Sequence, residues 1–171
     1  KNFGLGYNFF KGIKLAKGNY FIFIPCDNSH PSNEISKILK YMNSKYDLTT
    51  TYYSNRSKQN FTRHLFTSFY TPLLNFIYGT NFPYFNGLTL YKTKYLKKIK
   101  FKNPSFSFQI EIFVYLFHKY SLKIKIVPTI IKDRVSGSKA FKFKNSASVL
   151  YNVVKILFKS IYYRISNFVN N

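Results

Sequence analysis

Along the chain the apolar positions change their period several times, and each change marks an element. Leu5, Phe9, Ile13 and Ala16 recur three to four residues apart over 5–17, which predicts a helix, with Gly18 suited to close it at the C-terminal cap. Tyr20-Phe21-Ile22-Phe23-Ile24 then runs without alternation between Asn19 and Pro25. Such a run predicts a strand covered on both faces, as in a parallel sheet, leading directly to Asp27. Helical spacing returns at Ile35, Ile38, Leu39 and Met42, behind Pro31, a residue suited to a first helical turn. A short strand near Tyr46–Tyr52, a polar and basic loop over 54–63, and an apolar helix over Phe61–Tyr78 around Pro72 follow. Gly87–Tyr91 predicts another strand, and Phe106–Tyr120 a helix apolar on nearly every side, hence buried. Leu122, Ile124 and Ile126 alternate with lysines over 122–127, the period of a strand, and 132–145 is a Gly/Ser/Lys loop. Ser146–Val169 sets Leu150, Val153, Val154, Leu157, Phe158, Ile161, Ile165 and Phe168 on one stripe, with Asn152, Lys155, Lys159 and Arg164 elsewhere. This basic amphipathic helix fits equally a stripe packed on its own domain and one lying on an anionic membrane surface.

Helices alternating with strands predict an α/β chain with a doubly wound sheet, in which ligands bind at the carboxyl ends of the strands. The length of 171 residues, 46% hydrophobic and 21% aromatic, supports one buried core and excludes intrinsic disorder despite a formal charge of +22. That charge points to a polyanionic partner, but the joint richness in Lys, Asn, Ile, Phe and Tyr is also what biased base composition produces. The cations are spread through every predicted element, which is not the footprint of a nucleic-acid module. Cys26 is the one cysteine, so no internal disulfide exists and a reducing compartment is the simpler expectation. No apolar run reaches the roughly 18 residues that cross a bilayer. The opening Lys1-Asn2-Phe3 has no initiator Met and no charged-then-apolar leader, so a fragment lacking its front is expected.

Only Asp27, Glu34, Asp47, Glu111 and Asp133 are acidic, so any metal or general-base role falls to these five. Asp27 follows the predicted buried strand, where a carboxylate can hold Mg²⁺ or Mn²⁺ against a diphosphate; a turn or cap aspartate has the same local pattern. Glu111 sits on an otherwise apolar helix, where burial needs a purpose or a partner such as a Lys or Arg. Arg134-Val135-Ser136-Gly137-Ser138-Lys139 joins guanidinium, hydroxyl and ammonium donors around a Gly, a set suited to diphosphate oxygens or to a solvated surface loop. Arg56 and Arg63 are second candidates of that kind. Gly4-Leu5-Gly6 lacks the third glycine of the dinucleotide fingerprint, with Phe9 in its place, which disfavours a nicotinamide enzyme.

Several segments occur in a recognisable order: Asn2-Phe3-Gly4-Leu5-Gly6, Ala16-Lys17-Gly18-Asn19-Tyr20, Pro25-Cys26-Asp27-Asn28, Tyr84-Phe85-Asn86-Gly87-Leu88, Phe106-Ser107-Phe108-Gln109-Ile110-Glu111 and Arg134 to Lys139. Over residues 1 to about 145 the chain resembles the family 2 glycosyltransferases, most nearly the branch of dolichol-phosphate mannose synthase. The resemblance implies a partial type A, Rossmann-like mixed sheet flanked by helices, without the N-terminal strands that grip base and ribose, and a separate C-terminal helix over 146–171. It implies metal-assisted, inverting transfer of a sugar from a nucleoside-diphosphate sugar to a lipid-phosphate or glycan acceptor, in the cytoplasm at the inner face of the membrane. Asp27 becomes the surviving carboxylate of an Asp-x-Asp motif, with Pro25 in place of the first Asp, and Glu111 the general base. Substrate contacts fall on Asn28, Ser29, Asn86, Gln109, Arg134, Ser138 and Lys139, and His30 stands near the metal. The alternatives are a non-catalytic basic protein of membrane surfaces or nucleic acid, and a degenerate relative that has lost turnover.

Overall fold

The computed structural model describes residues 3–55, 61–100, 108–132 and 158, and over 61–67 the backbone alone. Helix α1 (Leu5–Leu15) leads to strand β1 (Tyr20–Ile22), helix α2 (Ser32–Leu39) and strand β2 (Leu48–Tyr53). Helix α3 (Phe61–Tyr78), strand β3 (Thr89–Lys92), helix α4 (Thr93–Leu96), helix α5 (Phe108–Lys119) and strand β4 (Ile124–Thr129) complete the order. The predicted loop over 132–145 and helix over 146–169 lie outside the described residues, apart from Lys132 and from Phe158, which is helical and exposed.

The four strands lie in the order β1-β3-β2-β4. β3 is antiparallel to both β1 and β2, while β2 and β4 are parallel. The sheet is therefore mixed, not the parallel one that the run at 20–24 suggested. β1, β2 and β4 all point one way, and their carboxyl ends share one edge with the amino end of β3. β1 pairs only over Tyr20–Ile22, with all three residues half-buried. Pro25 has no N–H to donate to a ladder, and Phe23 is instead taken up by packing.

The absence of alternation in β1 has a direct cause. Phe21 and Phe23 pack into the main core on one face, while Tyr20, Ile22 and Ile24 pack on the cluster of Ile38, Leu88 and Leu90 beneath α2 on the other. β3 divides in the same way, with Tyr91 in the main core and Leu90 under α2. The main core gathers Phe9 and Ile13 of α1, Leu74 and Tyr78 of α3, Phe82, Phe85 and the buried face of α5. Phe9 is its hub, with ring centroids 5.2 Å from Phe21, 5.6 Å from Phe23 and 4.9 Å from Phe108. A Cβ on Gly12 would lie 3.2 Å from the Phe21 ring, so α1 sits close on β1 because this position is glycine.

Two helix ends differ from the expectation. α1 closes at Ala16, extended at φ −63° and ψ 124°, whose amide donates to Gly12 O at 2.9 Å, so Gly18 is not its cap. Pro31 stands one residue before α2, its carbonyl accepting from the amides of Glu34 and Ile35 at 3.0 and 3.1 Å.

At the amino end of β2, Asp47 accepts from Lys92 Nζ at 2.9 Å, Tyr95 OH at 3.2 Å and the Lys123 amide at 3.1 Å, bolting β2 to β3 and β4. Burial pushes its carboxyl upward, but the hydrogen bonds from Lys92 and the Lys123 amide, the Lys92 charge and Tyr95 together hold it below its ordinary value of 3.8. A carboxyl lowered in the folded state adds stability above the unfolded value and loses it as pH falls through the folded one. Asp47→Asn is expected to cost about 1 kcal/mol at pH 7. In thermal melts its gap from the unaltered protein should close as pH falls below 3.8.

Candidate active site

The shared carboxyl edge of β1, β2 and β4 collects most of the chemically useful residues that the structure describes. Asp27, exposed in the loop after β1, accepts from the Ser29 amide at 3.1 Å and from Ser29 Oγ at 2.5 Å, both on Oδ1. This is an Asx-turn, the turn geometry that the sequence pattern allowed for Asp27, and it holds the carboxylate in a fixed orientation on the loop. Asn28 between them is left-handed at φ 54°, a conformation that asparagine tolerates. Ser29 and His30 are buried, and the His30 ring lies 5.9 Å from that of Tyr53, itself 5.0 Å from Tyr84. Tyr53, Tyr84 and Ile131 form a small buried cluster at this edge.

The chain leaving β4 is tied to the same loop. The Lys132 amide donates to Ser29 O at 2.9 Å, the Ile131 amide to Asn55 Oδ1 at 3.2 Å and the Ile130 amide to Glu34 Oε2 at 3.0 Å. Asn55 Nδ2 also donates to Ile131 O at 2.8 Å. Arg134, Ser138 and Lys139 lie outside the described residues, as does Arg56 and the side chain of Arg63; chain connectivity starts the 134–139 segment within two residues of Lys132.

Asn86 stands just before β3 on this edge. Its Oδ1 is enclosed, with no hydrogen-bond partner among the described residues. The next residue, Gly87, approaches β2 so closely that an added Cβ would meet Thr51 O at 1.9 Å. On α5, Gln109 is half-buried and Glu111, in the first turn, is 6% exposed. Phe108 packs 6.1 Å from Phe23, which brings the amino end of α5 to the carboxyl side of β1. Glu111 faces α3: burial chiefly, then the charges of Tyr70 and Glu111, pushes the Tyr78 hydroxyl well above its ordinary value of 10.0.

Sequence reasoning missed Glu34, Asn55 and Lys132. A glutamate in a first helical turn and an asparagine after a strand are ordinary capping and turn residues, and nothing local signals that both reach residues 130–131.

A divalent ion fits this loop in a restricted way. Among the described residues no three His, Cys, Asp or Glu side chains converge, so Asp27 offers one carboxylate beside the Asn28 and Ser29 oxygens. Magnesium-type sites are commonly completed by substrate phosphates and water around one or two carboxylates.

The sequence model of the family described as glycosyl transferase family 2 matches residues 1–100. Comparison with curated proteins gave no match. Among solved structures, the chain is similar to Mycobacterium tuberculosis glucosyl-3-phosphoglycerate synthase in complex with Mn²⁺, UDP-glucose and phosphoglyceric acid. That match has a TM-score of 0.69 and 17% identity, and covers 92% of this chain and 55% of the other. The same enzyme with Mn²⁺, UDP and glucosyl-3-phosphoglycerate gives 0.56 at 16% identity, covering 95% and 54%. With Mg²⁺ and UDP it gives 0.54 at 18%, covering 77% and 47%. The chain spans about half the length of these structures. The likeness shows the fold, a partial type A sheet flanked by helices.

With one carboxylate in the loop, Mn²⁺ alone is expected to bind the full-length protein weakly. A saturating nucleoside diphosphate should tighten it at least about tenfold, measured by calorimetry, because the phosphate oxygens complete the shell.

Proposed function

The chain belongs to glycosyl transferase family 2, and on that premise we propose that it transfers a sugar from a nucleoside-diphosphate sugar, with the Asp27 loop at the donor diphosphate. The observation that supports this reading is the bond from the Lys132 amide to Ser29 O, which holds Lys132, two residues before Arg134 in the sequence, against the loop that carries Asp27. Asp27, with Asn28 and Ser29, would hold a divalent ion together with the diphosphate oxygens. Such an ion supplies charge neutralisation for a departing diphosphate.

Arg134, Ser138 and Lys139 supply the remaining donors, offsetting the negative charge that develops as the bond from the anomeric carbon to the β-phosphate oxygen breaks. Asn86 and Gln109 are the sugar contacts; the enclosed Asn86 Oδ1 is an acceptor with no donor among the described residues. Glu111, near the amino end of α5, takes the proton of an acceptor hydroxyl as its oxygen bonds the anomeric carbon with inversion, and the nucleoside diphosphate leaves with the electron pair. A phosphate oxyanion as acceptor attacks without that proton transfer. The acceptor is a phosphate-bearing molecule or a glycan. The structural neighbours whose complexes contain phosphoglycerate support the phosphate, and a lipid phosphate of the dolichol-phosphate mannose synthase type is the narrower form of the same reading.

Contact with a membrane surface accompanies this activity. Phe69, Leu73 and Phe76 are exposed along one side of α3, and Phe158 of the basic amphipathic segment 146–171 is exposed as well. Among the described residues no helix is long and apolar enough to cross a membrane. Residues 1–145 then form the catalytic unit and 146–171 the surface-contacting helix.

Asp27→Ala in the full-length protein is expected to lower sugar transfer at least about 100-fold, without altering liposome association and with only a small shift in melting temperature. Glu111→Gln separates the acceptor classes. A loss of kcat that deepens with acceptor pKa marks a hydroxyl acceptor, and unchanged kcat marks a phosphate. Normal transfer by Asp27→Ala would overturn the donor-site reading.

A further inference from the structure

Three successive amides after β4 are held by three different parts of the fold: Ile130 by Glu34 of α2, Ile131 by Asn55 after β2, and Lys132 by Ser29 of the Asp27 loop. Asn55 takes both backbone polar groups of Ile131, donating to its carbonyl while accepting from its amide.

Glu34 is the less expected member. It is 3% exposed, and its carboxylate also receives Lys37 Nζ at 2.8 and 2.9 Å. A glutamate in the first turn of α2 would favour the helix dipole equally well from the surface. Burying it carries a desolvation cost, offset here by Lys37 and by the Ile130 N–H. Lys37 also removes the repulsion that an unpaired buried carboxylate would exert on an anion bound close by.

What this clasp fixes is the backbone of Lys132, an exposed cation whose amide lies on the carbonyl of Ser29, the residue that holds Asp27. A lysine ammonium reaches roughly 6 Å from its own Cα on a flexible stem, so tethering the backbone decides which anions it can meet. Building on the donor-site reading above, we infer that Lys132 is a further diphosphate-binding cation and that Glu34 and Asn55 are positioning residues that hold it against the Asp27 loop.

The test uses the full-length protein and whichever of UDP, GDP and dTDP it binds most tightly, compared by calorimetry with the matching monophosphate. Lys132→Ala should weaken the diphosphate roughly tenfold and the monophosphate far less, because the lost contact is to the diphosphate. Glu34→Ala and Asn55→Ala should reproduce this selective loss and speed amide hydrogen exchange over 130–132. Glu34→Gln, which keeps an acceptor for the Ile130 amide, should restore most of the discrimination.

Equal weakening of both ligands by Glu34→Ala and Asn55→Ala would show a merely structural role and overturn the positioning claim; unchanged binding by Lys132→Ala would overturn the binding claim. Asn55→Ala carries the test should Glu34→Ala fail to fold. If Asp27→Ala also leaves diphosphate affinity unchanged, the donor-site reading falls together with the inference. If Asp27→Ala abolishes binding while Lys132→Ala changes nothing, the inference alone falls.

Discussion

The hydrogen bond from the Lys132 amide to the Ser29 carbonyl, 2.9 Å long, ties together two segments that are distant in sequence and adjacent only because of the sheet. Inserting β3 antiparallel between β1 and β2 leaves β1, β2 and β4 pointing the same way, so the loops after all three emerge on one edge. The Asp27 loop, Asn55 and the 130–132 segment are then neighbours by topology, and hydrogen bonds fix their registration. Removing the strand order would scatter the same residues over two ends of the sheet.

Against 27 basic residues the chain has five acidic ones, and two of these carboxylates each gather several donors. Asp47 gathers Lys92, Tyr95 and the Lys123 amide at the amino end of β2, and Glu34 gathers Lys37 and the Ile130 amide near the carboxyl end. Asp27 differs from both: it is exposed, and its own loop aims it. A charged group on an open edge, next to a backbone that leads into a basic segment, is the arrangement that the proposed donor site requires. The other two are arrangements of a frame.

Elements with a strong period were legible from sequence. α3 has the predicted bounds Phe61–Tyr78, and α5, apolar on nearly every side, spans Phe108–Lys119 and is largely buried from Phe108 to Leu116, packed into the main core with residues of α1, α3 and the sheet. The unbroken apolar run of β1 did signal cover on two faces. It did not signal strand direction, since side-chain burial is indifferent to whether the neighbour runs parallel or antiparallel. α4 carries a single buried apolar residue, Leu96, too few to make a period.

At the candidate site, Asp27, Asn28, Ser29 and Asn86 could be named from motif order because each lies in a short local pattern. Glu34 and Asn55 could not, because their roles rest on partners across the fold. The packing of His30 against Tyr53 was likewise not legible, because it depends on β2 lying beside the Asp27 loop.

The central claim is that the carboxyl edge of the sheet, and not its amino edge, receives the donor diphosphate. Nuclear magnetic resonance of the full-length protein with Mn²⁺ and a nucleoside diphosphate tests it directly, since a paramagnetic ion broadens nearby amide signals. Broadening of residues 27–29 and 130–132, with the amides around Asp47 left sharp, is the predicted result. Broadening centred on Asp47, or none at Asp27 while the nucleotide is bound, would contradict it.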